Sequence, residues 1–351
     1  MRAAEEEYRE HLFSEVGIEM YLAALRECRS AVAALLGIGT PAGVSLLANS
    51  TTALQILLSA IGASLATGAT ILISDQEHPC VLNPLKMLAA RGVEIVTIDA
   101  SSAAELLSSI EEQVRRKPPA CVILSQVSYK NGRILPVAEV GAILARQAIP
   151  YIVDGAQAFA HIPVDVPTMR ASAYVFSGHK WIGGPWGTGG LWTSEEFAAR
   201  NHFTLSHWTE EHDPPSGGRY EGGTINYALA TGFAEACRQA HANGTRRLRV
   251  LTNIQSEIGR RLEGILPEAD RSWGDRHAPG IISYLMPSRL NSWTVAARML
   301  ENHGVAVKPF RPPERPDAIR ISYSPSTSLE EIRRLIEALR AEVEQLSKGV
   351  S

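Results

Sequence analysis

The sequence predicts an α/β fold in which a mainly parallel seven-stranded sheet forms a large domain and a small α+β domain follows it. Three observations predict this. From about Gly43 to Thr193, short apolar runs alternate with amphipathic stretches, the pattern of right-handed β–α–β crossovers. Polar and ionisable residues fall just past those apolar runs, where open parallel sheets place their ligands. The alternation then stops at a loop rich in glycine, proline and charge, EEHDPPSGGRYEGGT, and a different order of elements begins.

A helical pattern, MYLAALRECRSAVAALLG, opens the large domain at residue 20. Seven strand-like runs follow: VSLLAN, TILISD, VEIVTID, CVILSQVS, YIVDGA, AYVFSGH and GGLWTS. Between several of them lie the amphipathic segments ALQILLSAIGASL, VLNPLKMLAARG, AAELLSSIEEQVRR and VAEVGAILARQ. After the loop, one helix is expected from Ile225 to Asn243 and a second from Thr245 to Leu266. The distal unit reads as strand IISYLM, helix SWTVAARMLENHG, strands VAVKPF and AIRISYS, and helix LEEIRRLIEALRAEVEQL. The expected division is an N-terminal segment over 1–19, a large domain over 20–245 and a small one over 246–351.

Composition excludes several classes of function. The 351 residues carry 34 basic and 37 acidic side chains, a net charge of −3, without the basic excess of a nucleic-acid protein. No apolar run reaches the roughly 18–20 residues of a membrane span. The N-terminal MRAAEEEYREHLF is acidic and lacks the apolar core of a secretory signal. Cys28, Cys80, Cys121 and Cys237 are scattered without metal-ligand or disulfide spacing. A cytoplasmic protein is expected, with no membrane, nucleic-acid or metal partner. Cys80 falls at an expected helix start, which lowers a thiol's pKa, although a small packed thiol is the preferred reading.

Two segments concentrate chemistry. In AYVFSGHKWIGGPWGTGGLW an apolar strand runs into Ser177, His179 and Lys180 and then into glycines. A lysine directly after a buried strand, flanked by hydroxyl and imidazole, is poorly explained as a solvated charge, although for a single lysine taken alone a structural role is the plainer reading. In YIVDGAQAFAHIPVD another apolar strand ends in Asp154, with Ala156 and Gln157 close behind. A carboxylate there costs desolvation unless it meets a cation; capping is the plainer alternative. LLANSTTALQILL is a strand, a polar turn and a helix, which sets Thr51 and Thr52 at a helix N-terminus suited to an anion, with ordinary capping by Ser50 or Thr51 as the alternative. Taken alone, His78 of LISDQEHPCVLNP is a loop residue, RYEGGT a turn, and Arg320 of DAIRISYSP a strand residue facing solvent.

VDGAQ, followed 26 residues after its Asp154 by Lys180 of FSGHK, resembles the class V aminotransferase family, the cysteine-desulfurase-like branch of the fold-type I enzymes that use pyridoxal 5'-phosphate. The resemblance runs from about residue 20 to 345 and takes in the strand–turn–helix at Thr51, the Glu-His pair at His78, RYEGGT and the C-terminal arginine. It implies a Schiff base between Lys180 and the cofactor, with Lys180 then moving the substrate's Cα proton. It implies that Asp154 pairs with the ring nitrogen, Gln157 with the 3-oxygen, and that Ala156 and His78 cover the two ring faces. The phosphate would lie against Thr51, Thr52, Ser177 and His179, and Thr224 of RYEGGT would reach the phosphate of a neighbouring subunit, so a homodimer with a shared site is implied. Arg320 would hold the α-carboxylate of a small amino-acid substrate.

The sequence departs from that pattern in three places. Between Gly304 and Arg320 it reads GVAVKPFRPPERPDAIR, without the cysteine that a desulfurase needs as persulfide acceptor. SYKNG sets Tyr129 where relatives carry an asparagine near the 3-oxygen, so Tyr129 either replaces that contact or shapes the substrate pocket. The expected first helix starts by residue 20, which leaves little of the entrance-lining segment of relatives. The favoured expectation is carbon–sulfur lyase chemistry on a cysteine conjugate, with transamination or epimerisation as alternatives and a non-catalytic scaffold as the reading from another class. Further pocket candidates are Trp181, His207, Trp208, Tyr220 and Lys308 to Arg311. No GxGxxG or GxxxxGK[ST] follows a strand, so nucleotide binding is remote.

Overall fold

The computed structural model describes residues 2–12, 14–201, 216–267, 276–310 and 317–348. His207, Trp208 and Arg311, named above as pocket candidates, lie outside the described residues. The chain forms two compact units, one running up to Ser128 and over Leu135–Gly244, the other taking Tyr129–Ile134 and the chain from Thr245.

The first unit begins with helices α1 (Arg2–Glu10) and α2 (Glu15–Leu36). Strands β1 (Val44–Leu47), β2 (Thr70–Ser74), β3 (Glu94–Ile98), β4 (Cys121–Ser125), β5 (Tyr151–Asp154), β6 (Ala173–Ser177) and β7 (Gly189–Thr193) form one sheet in the order β1-β7-β6-β5-β4-β2-β3. β3, β2, β4, β5 and β6 run parallel; β7 pairs antiparallel with both β6 and β1. Two reversals restore direction, so the carboxyl end of β1 opens on the same edge as those of the parallel strands. β2, β4, β5 and β6 are buried throughout, as expected for strands covered on both faces. Helices α3 (Ser50–Ser64), α4 (Pro79–Ala90), α5 (Ala103–Arg116), α6 (Val137–Ala145), α7 (Val166–Met169) and α8 (Glu195–Arg200) connect them. Leu54, Leu57, Ile71, Val81, Ile123 and Ile152 belong to one continuous apolar core.

Two sequence expectations differ from the fold. The helices expected on either side of Gly244 are one 36-residue helix, α9 (Tyr227–Leu262). A lone glycine costs a helix only about 1 kcal/mol relative to alanine, and helix-compatible residues flank it; a left-handed glycine, Gly264, follows the helix end instead. The first long helix also starts earlier than residue 20, because Ser14 caps it by accepting the Gly17 N–H. Ahead of it, α1 anchors by stacking Tyr8 on Tyr227, ring centroids 4.5 Å apart.

RYEGGT is more than a turn. Glu221 is buried and meets buried Arg29 of α2, with Nη2 2.6 Å from Oε2, while its Oε1 accepts the Leu46 N–H of β1 at 2.7 Å. One carboxylate thus ties this segment to a helix and a strand nearly two hundred residues upstream. Burial raises its pKa against the pull of Arg29.

The second unit contains β8 (Ile281–Leu285), α10 (Ser292–His303), β9 (Lys308–Phe310), β10 (Ala318–Ser322) and α11 (Leu329–Lys348), with an antiparallel sheet in the order β8-β10-β9. The segment 129–134 joins it through Ser283 Oγ donating to Lys130 O (2.7 Å) and Ala278 N donating to Gly132 O (2.8 Å). Among the described residues, no helix is long and apolar enough to cross a membrane, and no cluster of His, Cys, Asp or Glu is placed to hold a metal ion.

Removing one partner of a buried ion pair strands the other charge. Arg29→Met should lower unfolding stability by about 3–5 kcal/mol in denaturant melts. Arg29→Met/Glu221→Gln should recover much of that, because the amide still accepts the Leu46 N–H; no recovery would contradict this role.

Candidate active site

At the carboxyl edge of the first unit's sheet, consecutive strands deliver the residues singled out by sequence. β5 ends in Asp154, which is buried. Its Oδ1 accepts the Ala156 N–H at 2.8 Å, while the neighbour of Oδ2 is the Cys80 Sγ at 3.9 Å. Burial raises the Asp154 pKa; the Lys180 ammonium, the Ala156 N–H and the Cys80 thiol oppose that rise. The site therefore holds a buried carboxylate with an oxygen poorly served by protein donors, beside a cation. The glycine of VDGAQ is required by close approach: a Cβ on Gly155 would stand 2.0 Å from Cζ of Tyr174, whose hydroxyl donates to Gln126 Oε1 at 2.7 Å.

β6 delivers Ser177 and, beyond its end, His179 and Lys180. Ser177 Oγ accepts the Ser50 N–H at 3.1 Å and donates to Ser50 Oγ at 2.9 Å, which joins the end of β6 to the N-terminus of α3. The cap of α3 is Asn49, whose Oδ1 accepts the Thr52 N–H at 2.9 Å. The capping weighed as an alternative at Ser50 or Thr51 is instead done by Asn49: asparagine caps as well as serine, and here it lies one residue earlier. Thr51, exposed, and Thr52, half-buried, occupy the first turn of α3 with their backbone at its positive end. The His179 ring stacks on Trp186, and its Nδ1 is buried without a hydrogen-bond partner. Burial and then Lys180 lower the His179 pKa against a hydrogen bond to the Thr188 backbone. A buried ring nitrogen without a partner at the edge where a helix N-terminus opens fits a ligand oxygen.

β2 leads into Glu77 and His78. His78 caps α4, its Nδ1 accepting the Cys80 N–H at 3.1 Å, so the neutral ring carries its proton on Nε2. Glu77 is fully buried and receives three donors: Ser74 Oγ (2.6 Å), Ser125 N (3.0 Å) and Ser125 Oγ (2.7 Å). It sews the ends of β2 and β4 together beneath His78, and burial raises its pKa to about 7, with the Asp154 charge adding to the rise. Sequence reasoning passed over Glu77 as half of a motif pair; the serines at both strand ends, Ser74 and Ser125, were its signal.

Gln157 is half-buried, and its Oε1 accepts the Trp181 Nε1–H at 2.8 Å. Thr224 is exposed and follows Gly223, whose φ of +74° requires glycine. Cys80 was open to two readings. It stands in the first turn of α4, but burial pushes its thiol up to about 12 instead of lowering it. The packed-thiol reading fits it, since desolvation of the thiolate outweighs the helix end.

Arg320 and Tyr129 lie in the second unit. Arg320 Nη1 donates to Tyr129 O at 2.5 Å, Arg320 Nε is buried without a partner, and burial lowers the arginine's pKa. Tyr129 sets its ring edge-on to Phe310, centroids 5.9 Å apart.

Comparison with known proteins bears on the family and the fold. The sequence model of the aminotransferase class-V family matches residues 11–308. A probable cysteine desulfurase of Mycolicibacterium paratuberculosis is 30% identical over 237 residues, 64% of this chain and 34% of that protein. The chain thus spans about a third of that relative's length. The cysteine desulfurase of Dickeya dadantii is 27% identical over 303 residues, 81% of this chain and 71% of the relative. Among solved structures, the apo cysteine desulfurase of Thermococcus onnurineus superposes with a TM-score of 0.81 at 26% identity, covering 93% of this chain and 85% of that one. A complex of the cystine C–S lyase C-DES with its product cysteine persulfide gives 0.83 at 23% identity over 97% and 92%, a likeness of fold.

Glu77 generates a pH-dependent prediction. Its pKa is raised on folding, so between the ordinary glutamate range and about pH 7 the folded chain holds a proton that the unfolded chain has lost. Stability should therefore fall as pH rises through that window, by on the order of 3 kcal/mol from this group. Glu77→Gln should flatten the decline in melting temperature between acid and neutral pH; an unchanged slope would contradict the assignment.

Proposed function

The chain belongs to the class V aminotransferase family, and from that premise we propose that it is a pyridoxal-phosphate enzyme that eliminates a sulfur substituent from Cβ of a cysteine-derived amino acid. The residues of the first unit fit that cofactor. The under-served Oδ2 of buried Asp154 suits a protonated ring nitrogen, and Lys180 supplies the amine for the aldehyde. The partnerless His179 Nδ1, with Ser177 and the α3 N-terminus at Thr51 and Thr52, suits the phosphate. Gln157 would face the 3-oxygen of the bound cofactor, and Ala156 and His78 would cover its ring. When bound, the cofactor supplies an electron sink for charge developing at the substrate's Cα.

The chain's own residues do the rest. Arg320 fixes the α-carboxylate, and Lys180 Nζ takes the Cα proton. Asp154 would hold a proton on the ring nitrogen of the bound cofactor. His78, with its N–H on Nε2, is placed to donate a hydrogen bond to the departing sulfur, and the proton that Lys180 has taken from Cα completes the thiol. The Cα–H and Cβ–S bonds break, a thiol leaves, and water converts the three-carbon remainder to pyruvate and ammonia.

The observation that carries elimination over sulfur transfer is the state of the cysteines. All four are free and buried. Burial raises Cys28, Cys80 and Cys121 to about 12, and Cys237 also upward. A persulfide acceptor needs an accessible thiolate, and none of these thiols offers one. Free thiols also suit a reducing cytoplasm. We assign cofactor binding to residues 20–245 and carboxylate binding to 246–351. We further infer a homodimer, in which exposed Thr224 reaches the partner's phosphate.

The test is incubation of the holoenzyme with S-substituted cysteines. Pyruvate and free thiol are expected in equal amounts, and Lys180→Ala should lower turnover by about 10³-fold or more. Arg320→Lys should raise KM about tenfold, because an ammonium lacks the bidentate fork. Release of neither product, or formation of a keto acid with the sulfur retained, would sink the lyase assignment.

A further inference from the structure

An indole N–H can donate but never accept, so the Gln157 atom 2.8 Å from Trp181 Nε1 is the carbonyl oxygen. That contact turns the amide nitrogen of Gln157 the other way. The indole is itself held. It stacks on the ring of His161, centroids 3.5 Å apart and planes within 10°. His161, nearly inaccessible at 4% exposure, hydrogen-bonds the Gln157 backbone carbonyl through Nδ1 at 2.7 Å, which fixes the proton on that nitrogen. The contacts form a closed ring: Gln157 backbone, His161, Trp181, Gln157 side chain. A glutamine amide left alone exchanges its oxygen and nitrogen ends at little cost; this ring removes that freedom.

We propose that Trp181 is a positioning residue that locks Gln157 with its N–H donors, and not its oxygen, toward the 3-oxygen of the cofactor. The proposal rests on the reading above, in which Gln157 faces that oxygen. A locked donor stabilises negative charge on the oxygen and so lowers the pH at which the bound cofactor's visible band titrates. A reversed amide would set two oxygens against each other.

The experiment is a pH titration of the visible band in full-length holoenzyme, with variants that leave Asp154 and Lys180 intact. Trp181→Phe keeps a ring face for His161 but has no N–H. It should raise the midpoint by about 0.7 on the pH scale, the shift equivalent to about 1 kcal/mol. Gln157→Ala should raise it at least as far, and Trp181→Phe should add nothing in the Gln157→Ala background. Trp181→His, which restores a flat ring with an N–H, should return the midpoint toward wild type. An unchanged midpoint in Trp181→Phe, an equal rise in both backgrounds, or a Phe-like midpoint in Trp181→His would overturn the proposal while leaving the cofactor reading intact. A wild-type protein that gains no visible band with pyridoxal phosphate would overturn both.

Discussion

A carboxylate buried at the end of a central strand is the constraint on which the rest of this site depends. Asp154 is cut off from water because the sheet around it is covered on both faces, and an ionised carboxylate there is tolerated only with compensation. The protein supplies part of it, through the Ala156 N–H and the charge of Lys180. The remainder is what a cationic ring partner would supply. The same economy explains the residue types around it. Gly155 lets the chain turn against Tyr174, and the Cys80 thiol fills space beside Oδ2 without competing as a strong donor.

Two other buried carboxylates hold the frame around that centre. Glu77 draws on three donors from the ends of β2 and β4, so the strand edge that presents His78 is fixed by hydrogen bonds as well as packing. Glu221 does a similar job at long range, joining RYEGGT to α2 and β1 through Arg29 and the Leu46 N–H. In each case donors are supplied locally, and burial still raises the pKa of the carboxyl against them. The site is thus built on polar contacts that a hydrophobic sheet edge makes costly to break.

Much of this architecture was legible in the sequence because it is written in local patterns. The seven apolar runs from VSLLAN to GGLWTS became seven strands of one sheet, and in β2, β4, β5 and β6 burial on both faces leaves a continuous apolar signature. Asp154, Ser177, His179 and Lys180 were legible because each follows such a run. What escaped was set by contacts between distant residues or by choices among equivalent neighbours. Gly244 could not announce that α9 runs through it, and Asn49 and Ser50 are equally good caps on sequence alone. The Arg29–Glu221 pair and the Gln157–Trp181 contact join residues that no local pattern connects. The packed-thiol reading preferred for Cys80 fits because burial, invisible in a helix-start motif, outweighs the helix end.

The central claim, that the lysine beside the buried carboxylate is where the cofactor is held, can be read out directly. The purified protein is saturated with pyridoxal phosphate, reduced with borohydride, digested and mapped by mass spectrometry. The expected result is one stable phosphopyridoxyl adduct, on Lys180, that diminishes sharply when Asp154 is replaced by alanine. An adduct spread over surface lysines, or one concentrated elsewhere while Lys180 stays unmodified, would contradict it.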